Sequence, residues 1–223
     1  MNSNKMNILK ETSLFQTIDD KDCKQLINCL LPQVKHFSKN EIILMAGYPI
    51  SHIGIILSGN ARAYSEHMDG SQTIMSNLSP SSIFGDTLVS TKTHKSPVTI
   101  YSTNSTTVAF IEYDKILTTC AVNCDTHRIF LQNMFKSIGD KYFMLFDRIN
   151  ILREKTLRLQ IKAFLHKLSI NGELTEVYLP FTKTMLADYL LANRSAVSKE
   201  LGKMQRDGVI EVNGRNIRIV NML

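Results

Sequence analysis

From Gln33 to Tyr113 the apolar residues come in short runs, cut at close intervals by turns that carry glycine. Val34 and Phe37 open the series; Glu41 to Leu44 stops at Gly47, and His52 to Leu57 stops at Ser58-Gly59-Asn60. Ala61 to Glu66 and Thr73 to Leu78 flank Asp69-Gly70, and Val98 to Tyr101 and Val108 to Ile111 complete the set. Many short strands separated by such turns predict an antiparallel sandwich or barrel. A fold of this kind says nothing by itself about ligand or chemistry.

The period then changes. Leu131, Phe135, Ile138, Tyr142, Leu145, Ile149 and Leu152 follow one another at intervals of 4, 3, 4, 3, 4 and 3 residues. That spacing predicts one long helix with a seam of coiled-coil type, roughly 32 Å long at ~1.5 Å per residue. Phe130, Met134, Phe143, Met144 and Phe146 widen the apolar surface, so one stripe can meet the strands and another a second copy of the chain. Gly139 costs the helix about 1 kcal/mol against alanine, which suits a position of close approach. Arg153 to Leu168 predicts a further helix, Ser169 to Glu173 a turn, and Val177 to Pro180 a small strand.

Residues 182–220 carry the most specific pattern. Lys183 to Leu191 predicts a short helix with Thr182 as its cap, and Ala192-Asn193 breaks it. Asn193 then caps a second helix to about Arg206, buried along Val197, Leu201 and Met204. Arg194, Ser195, Ser198 and Lys199 fall on the other side, near its start. Val209 to Val212 and Ile217 to Val220 flank Asn213-Gly214, the strongest short-range hairpin signal. Helix, turn, helix and hairpin outline a winged helix-turn-helix, and a helix that offers short polar and basic side chains suits the DNA major groove. The DNA-facing candidates are Arg194, Ser195, Ser198 and Lys199, with Thr182 and Arg215 at the edges.

Charge agrees with that assignment through its distribution. The net charge is +6. Residues 1–146 hold 13 Lys and Arg against 12 Asp and Glu, whereas residues 147–223 hold 13 against 8. The excess therefore lies where phosphates would need neutralising. No apolar run reaches membrane-spanning length and the N-terminus lacks a signal-peptide pattern, so a cytoplasmic protein with no membrane partner is expected.

The candidates for metal chemistry are weak. Cys23, Cys29, Cys120 and Cys124 lack any Cys-x-x-Cys spacing, and the six histidines are scattered. No metal is expected. A His-x-His pair, a nucleophile elbow and a phosphate-cradling glycine loop are all missing, which argues against an enzyme.

In this order the parts resemble the Crp/Fnr family of bacterial transcription regulators. The resemblance runs from about Leu14 onward. It rests on Phe37-Ser38-Lys39-Asn40-Glu41, on Ile53 to Gly59, on Ile83-Phe84-Gly85-Asp86, on Leu186 to Leu190 and on Arg194 to Leu201. It implies an α+β chain of three parts: a β-roll that senses an effector (1–124), a dimerisation helix (125–150) and a winged helix-turn-helix (151–223). It also implies a homodimer on a palindromic double-stranded operator, with activation requiring a surface that touches RNA polymerase. Gly85, Asp86, Thr87, Ser96, Pro97 and Tyr142 are the implied effector-pocket positions. Cyclic-nucleotide binders of the family place Gly-Glu before Arg-Ser or Arg-Thr, and here the pairs are Gly85-Asp86 and Ser96-Pro97. Serine has neither the charge nor the reach of the arginine that a phosphate needs. Another small-molecule effector is therefore expected rather than a cyclic nucleotide, and no cofactor. In the recognition helix Ser195 stands where the family often has Glu and Lys199 where it often has Arg, so a divergent operator is expected.

The leading expectation is a homodimeric, sequence-specific regulator of transcription. The alternative is a metabolite-binding module whose helix-turn-helix serves protein contacts.

Overall fold

A computed structural model describes residues 3–66, 69–70, 72–88, 91–118, 125–170 and 172–221. Two compact units divide the chain, Met1–Asp140 and Lys141–Leu223.

The first unit begins with α1 (Ser3–Glu11) and α2 (Asp20–Leu30), the latter capped by the Asp19 carboxylate, which accepts from the Asp22 N–H at 2.8 Å. Eight strands follow: β1 (Gln33–Phe37), β2 (Ile42–Leu44), β3 (His52–Ser58), β4 (Ala61–Glu66), β5 (Gln72–Leu78), β6 (Ile83–Phe84), β7 (Thr99–Ser102) and β8 (Thr106–Glu112). They form two four-stranded antiparallel sheets, ordered β1-β8-β3-β6 and β2-β7-β4-β5. Strand β3 explains why its segment reads as continuously apolar rather than alternating. Ile53, Ile55 and Leu57 join a core with Leu26, Leu30, Ile116 and Phe130 from the helices, while Ile56 joins Ala63, Phe84 and Ile100 between the sheets. Both of its faces are covered. Gly54 is required there, because a Cβ would lie 2.0 Å from the Phe84 ring.

The short α3 (Tyr113–Leu117) leads towards α4 (Asp125–Leu152), the long helix that the seam predicts. The unit boundary falls inside it. At its start the buried stripe is Phe130, packed edge-on against Phe15, and Met134, with Leu131 and Ile138 partly covered by the same core. Leu131 and Ile138 thus pack against the core of the first unit. Further along, Phe135, Tyr142, Leu145 and Ile149 are each more than half exposed. Apart from its own helix backbone and chain neighbours, nothing among the described residues lies within 4 Å of a Cβ placed on Gly139.

The second unit contains the end of α4, then α5 (Leu157–Leu168), β9 (Glu176–Tyr178), α6 (Lys183–Tyr189), α7 (Arg194–Arg206), β10 (Ile210–Asn213) and β11 (Asn216–Ile219). Its strands form one antiparallel sheet, β10-β11-β9, turned at Asn213-Gly214 with Gly214 at φ +62°. Its core joins Ile151 of α4, Ile161, Phe164 and Leu165 of α5, Leu186 of α6, Val197, Leu201 and Met204 of α7, and Ile210 and Ile217 of the hairpin. Several boundaries differ from expectation. The helix expected from Arg153 starts at Leu157, because the Thr156 hydroxyl takes the Leu159 N–H at 3.2 Å and starts a new helix after α4 ends at Leu152. The helix expected to reach Leu191 ends at Tyr189, since Leu191 adopts φ +50° and leaves the helical path. The strand expected to reach Pro180 stops at Tyr178. Asn193 occupies the cap position of α7, but its side chain makes no capping hydrogen bond.

Candidate nucleic-acid interface and effector region

The turn between α6 and α7 is built by a few local bonds. Thr182 caps α6 by accepting from the Met185 N–H at 3.2 Å. At the other end the Leu190 N–H reaches Leu186 O at 3.0 Å and the Ala192 N–H reaches Ala187 O at 2.9 Å, closing the helix. The chain then re-enters helix at Arg194 with Val197, Leu201 and Met204 all buried. That stripe fixes the outward face. Arg194, Ser195 and Lys199 are exposed and Ser198 is half-buried. Among the described residues no hydrogen bond or ion pair engages the Arg194 or Lys199 side chain. Ion pairs hold the far side of the helix instead: Arg158 lies 2.6 Å from the Asp207 carboxylate and 3.6 Å from that of Glu200.

Two of the expected edge residues are committed locally. The Thr182 hydroxyl is occupied as the α6 cap. Arg215 donates from Nε to Leu179 O at 2.9 Å and stacks its guanidinium 4.7 Å from the Tyr178 ring centroid, while remaining exposed. This ties the turn of the hairpin to the residue that follows β9. Sequence reasoning passed over Tyr178 and Lys203. Tyr178 pairs with Asn216 across β9 and β11, a long-range register that only the fold reveals. Lys203 lies one turn beyond Lys199 and is exposed, so its periodicity was available as a signal.

The effector-pocket positions do not gather into one cavity. Gly85 and Asp86 are buried at the end of β6, and Gly85 takes φ +81° where a Cβ would lie 2.7 Å from Ile50 Cδ1. Thr87 and Pro97 are exposed. Ser96 is 2% exposed and its hydroxyl is engaged by Val98, donating to Val98 O at 2.7 Å and accepting from the Val98 N–H at 3.2 Å. Its backbone pairs with Tyr48 and Gly47. Tyr142 belongs to the second unit, with its ring stacked on Phe146. Lys92, His94 and Lys95, the nearest basic groups in sequence, are all exposed. A cyclic nucleotide's phosphate therefore meets no arginine here, and the residues present do not fit that ligand. Open space lies instead beside Ile50 and His52. One cleft of about 570 Å³ reaches His94, Glu112 and Asp114, and another of about 260 Å³ reaches Phe37, Ile43 and Phe110. Nothing in the sequence marked these clefts, because their walls come from five separate segments, 33–37, 43–44, 49–52, 94 and 110–114.

On α2, Cys23 is buried in the core and burial pushes its thiol above the usual value, which disfavours the thiolate that metals bind. Cys29 is half-buried; Cys120 and Cys124 lie outside the described residues. Among the described residues no helix is long and apolar enough to cross a membrane.

A Cyclic nucleotide-binding domain family matches residues 34–123, and a Crp-like helix-turn-helix domain family matches residues 160–222. Together they account for more than half of the chain. The chain belongs to the Crp/Fnr family of DNA-binding transcription regulators. It is 24% identical over 190 residues to the transcriptional activator protein FnrA of Stutzerimonas stutzeri, covering 83% of this chain and 75% of FnrA. It is also 24% identical to the anaerobic regulatory protein of Haemophilus influenzae, covering 91% of this chain and 78% of that one. Among solved structures, OCPA-complexed CprK superposes with a TM-score of 0.66 at 15% identity, covering 89% of this chain and 92% of CprK. That likeness shows a shared fold. The first family's name describes a domain type.

Proposed function

We propose that this Crp/Fnr-family chain works in the cytoplasm as a homodimer on a palindromic operator, with a signal received in the first unit. It acts as a regulator and not as an enzyme. The observation that carries this reading is the outward face of α7, where Ser195 and Lys199 stand exposed opposite three buried apolar residues, with Arg194 exposed at the helix start. Ser198 flanks them, Arg215 braces the hairpin, and Thr182 holds the start of α6. The dimer reading is supported by the exposed apolar run of Phe135, Tyr142, Leu145 and Ile149, which water alone would not favour. Leu131, Ile138 and Leu152 extend the same seam. The proposed parts are a sensing roll (1–124), a dimer helix (125–150) and a DNA-binding region (151–223). The effector is a small molecule without a cyclic phosphate, and any activation works through contact with RNA polymerase.

Selection of duplexes from a random pool by the full-length protein, followed by fluorescence anisotropy on the best duplex, tests this. The expected product is a palindrome with half-sites one helical turn apart, bound by two chains. No enriched sequence at low salt, with and without a cell metabolite extract, refutes the regulator reading and leaves a module whose helix-turn-helix contacts protein.

A further inference from the structure

Arg148 lies near the end of α4 and is half-buried. Its Nε donates to Tyr189 O at 3.0 Å, one of its terminal N–H groups donates to Asp188 O at 3.2 Å, and its guanidinium lies 5.1 Å from the Tyr189 ring centroid. Those two carbonyls are the last of α6. A helix C-terminus leaves its final carbonyls without helical partners and carries partial negative charge, so a cation with a planar fork of donors suits it. Tyr189 in turn packs on Phe164 and on Phe181, each with ring centroids at 5.3 Å. The carbonyls so held open directly into the four-residue turn that launches α7.

The same stretch of helix carries part of the exposed seam. Leu145 stands one turn before Arg148, Ile149 follows it immediately, and both are exposed. Asp147 adds an ion pair with Lys167 of α5 at 2.7 Å. Ile151 already anchors α4 in the apolar core of the second unit. Apolar contact is non-directional, whereas two hydrogen bonds from one rigid guanidinium fix an angle. In a two-fold dimer the angle between the seam and the recognition helix decides the distance and phase between two recognition helices.

We propose that Arg148 is a positioning residue that sets the half-site spacing this regulator accepts. It acts through the end of α6 and touches no base. The proposal rests on the palindrome-reading dimer stated above.

The test uses full-length protein and the best palindrome that the wild type selects, together with duplexes carrying one base pair more or fewer between the half-sites. One added pair rotates a half-site by about 34° and moves it ~3.4 Å. The wild type should lose about tenfold or more in affinity on either altered duplex. Arg148→Met keeps an unbranched stem against Tyr189 but removes both donors. Its three affinities should fall within about threefold of one another, with dimer mass and helical circular dichroism unchanged. Arg148→Lys, which keeps the charge and can reach one carbonyl at a time, should discriminate to an intermediate degree. It carries the test if Arg148→Met fails to fold. Folded variants as selective for spacing as the wild type overturn the proposal while the dimer reading stands. A wild type that selects no palindrome overturns both.

Discussion

The different directions of Arg194 and Lys199 on α7 permit a division of labour to be predicted between them. Each residue turns the helix by about 100°, so Lys199 lies within about 20° of the direction opposite the mean of Val197, Leu201 and Met204. Arg194 lies only about 50° from that buried direction, at the first helical position. Lys199 thus faces the floor of a groove, while Arg194 faces its wall, where the helix N-terminus also favours a phosphate. Neither side chain has a partner among the described residues, so alanine at either site should change folding stability by no more than about 0.5 kcal/mol. Lys199→Ala should then cost ~1–3 kcal/mol per half-site, roughly 5- to 150-fold, and flatten preference at one base position. Arg194→Ala should weaken all sequences alike and reduce the slope of log affinity against log salt by about 0.9 per half-site. Anisotropy on the selected duplex and its single-base variants, at two salt concentrations, reads both quantities. A Lys199→Ala protein that keeps its full base preference and loses salt slope instead refutes the geometry.

Four further outcomes follow from particular positions. Gly85→Ala should destabilise the first unit by about 2–5 kcal/mol in thermal or denaturant unfolding, because φ +81° is strained for alanine and its Cβ would press on Ile50 and on His52 O. Gly139→Ala should stabilise the chain by about 0.5–1 kcal/mol in the same assay, its Cβ entering open space; a loss would show that a second copy's backbone packs there. Calorimetric titration with cyclic AMP should give no saturable heat, since Ser96 is spent on Val98; micromolar binding would contradict that account. The Tyr189 phenol is raised by burial and held back by Arg148. Its neutral form therefore favours folding below the usual tyrosine range, and that contribution fades as pH rises through the raised value. Arg148→Met should push it higher still, read by NMR of ring-labelled tyrosine, and a fall would place the guanidinium elsewhere.

Periodicity carried much of the fold. The strands of the roll, the length of α4 and the Asn213-Gly214 hairpin each rest on local pattern, and each formed within a few residues of its expected bounds. What local pattern could not settle was termination. Leu191 belongs to the apolar pattern of its helix, yet its φ of +50° belongs to the turn, and that choice is made by Ala192 bonding back to Ala187. Thr156 likewise decided a boundary that the run from Arg153 to Leu168 concealed, because one capping hydroxyl outweighs a continuous apolar periodicity. The two-residue strand β6 was read only as a motif, since its pairing with Gly54 and Ile55 is long-range.

The site divides along the same line. Exposure of Ser195 and Lys199 follows from their place opposite a buried stripe of three residues on one helix, whereas Arg194 is exposed because it stands at the helix start. Arg148 could not be found in that way. Its partners are backbone carbonyls 40 and 41 residues away, and a carbonyl has no letter in the sequence. The effector positions fail for a related reason. Aligning motifs can say that Ser96 replaces an arginine, but not that its hydroxyl turns back on Val98. Open space lies where Ile50 and His52 meet segments from four parts of the roll. A search for a ligand therefore starts best from the shape and polarity of those clefts, which only the assembled roll provides, and not from the motif positions.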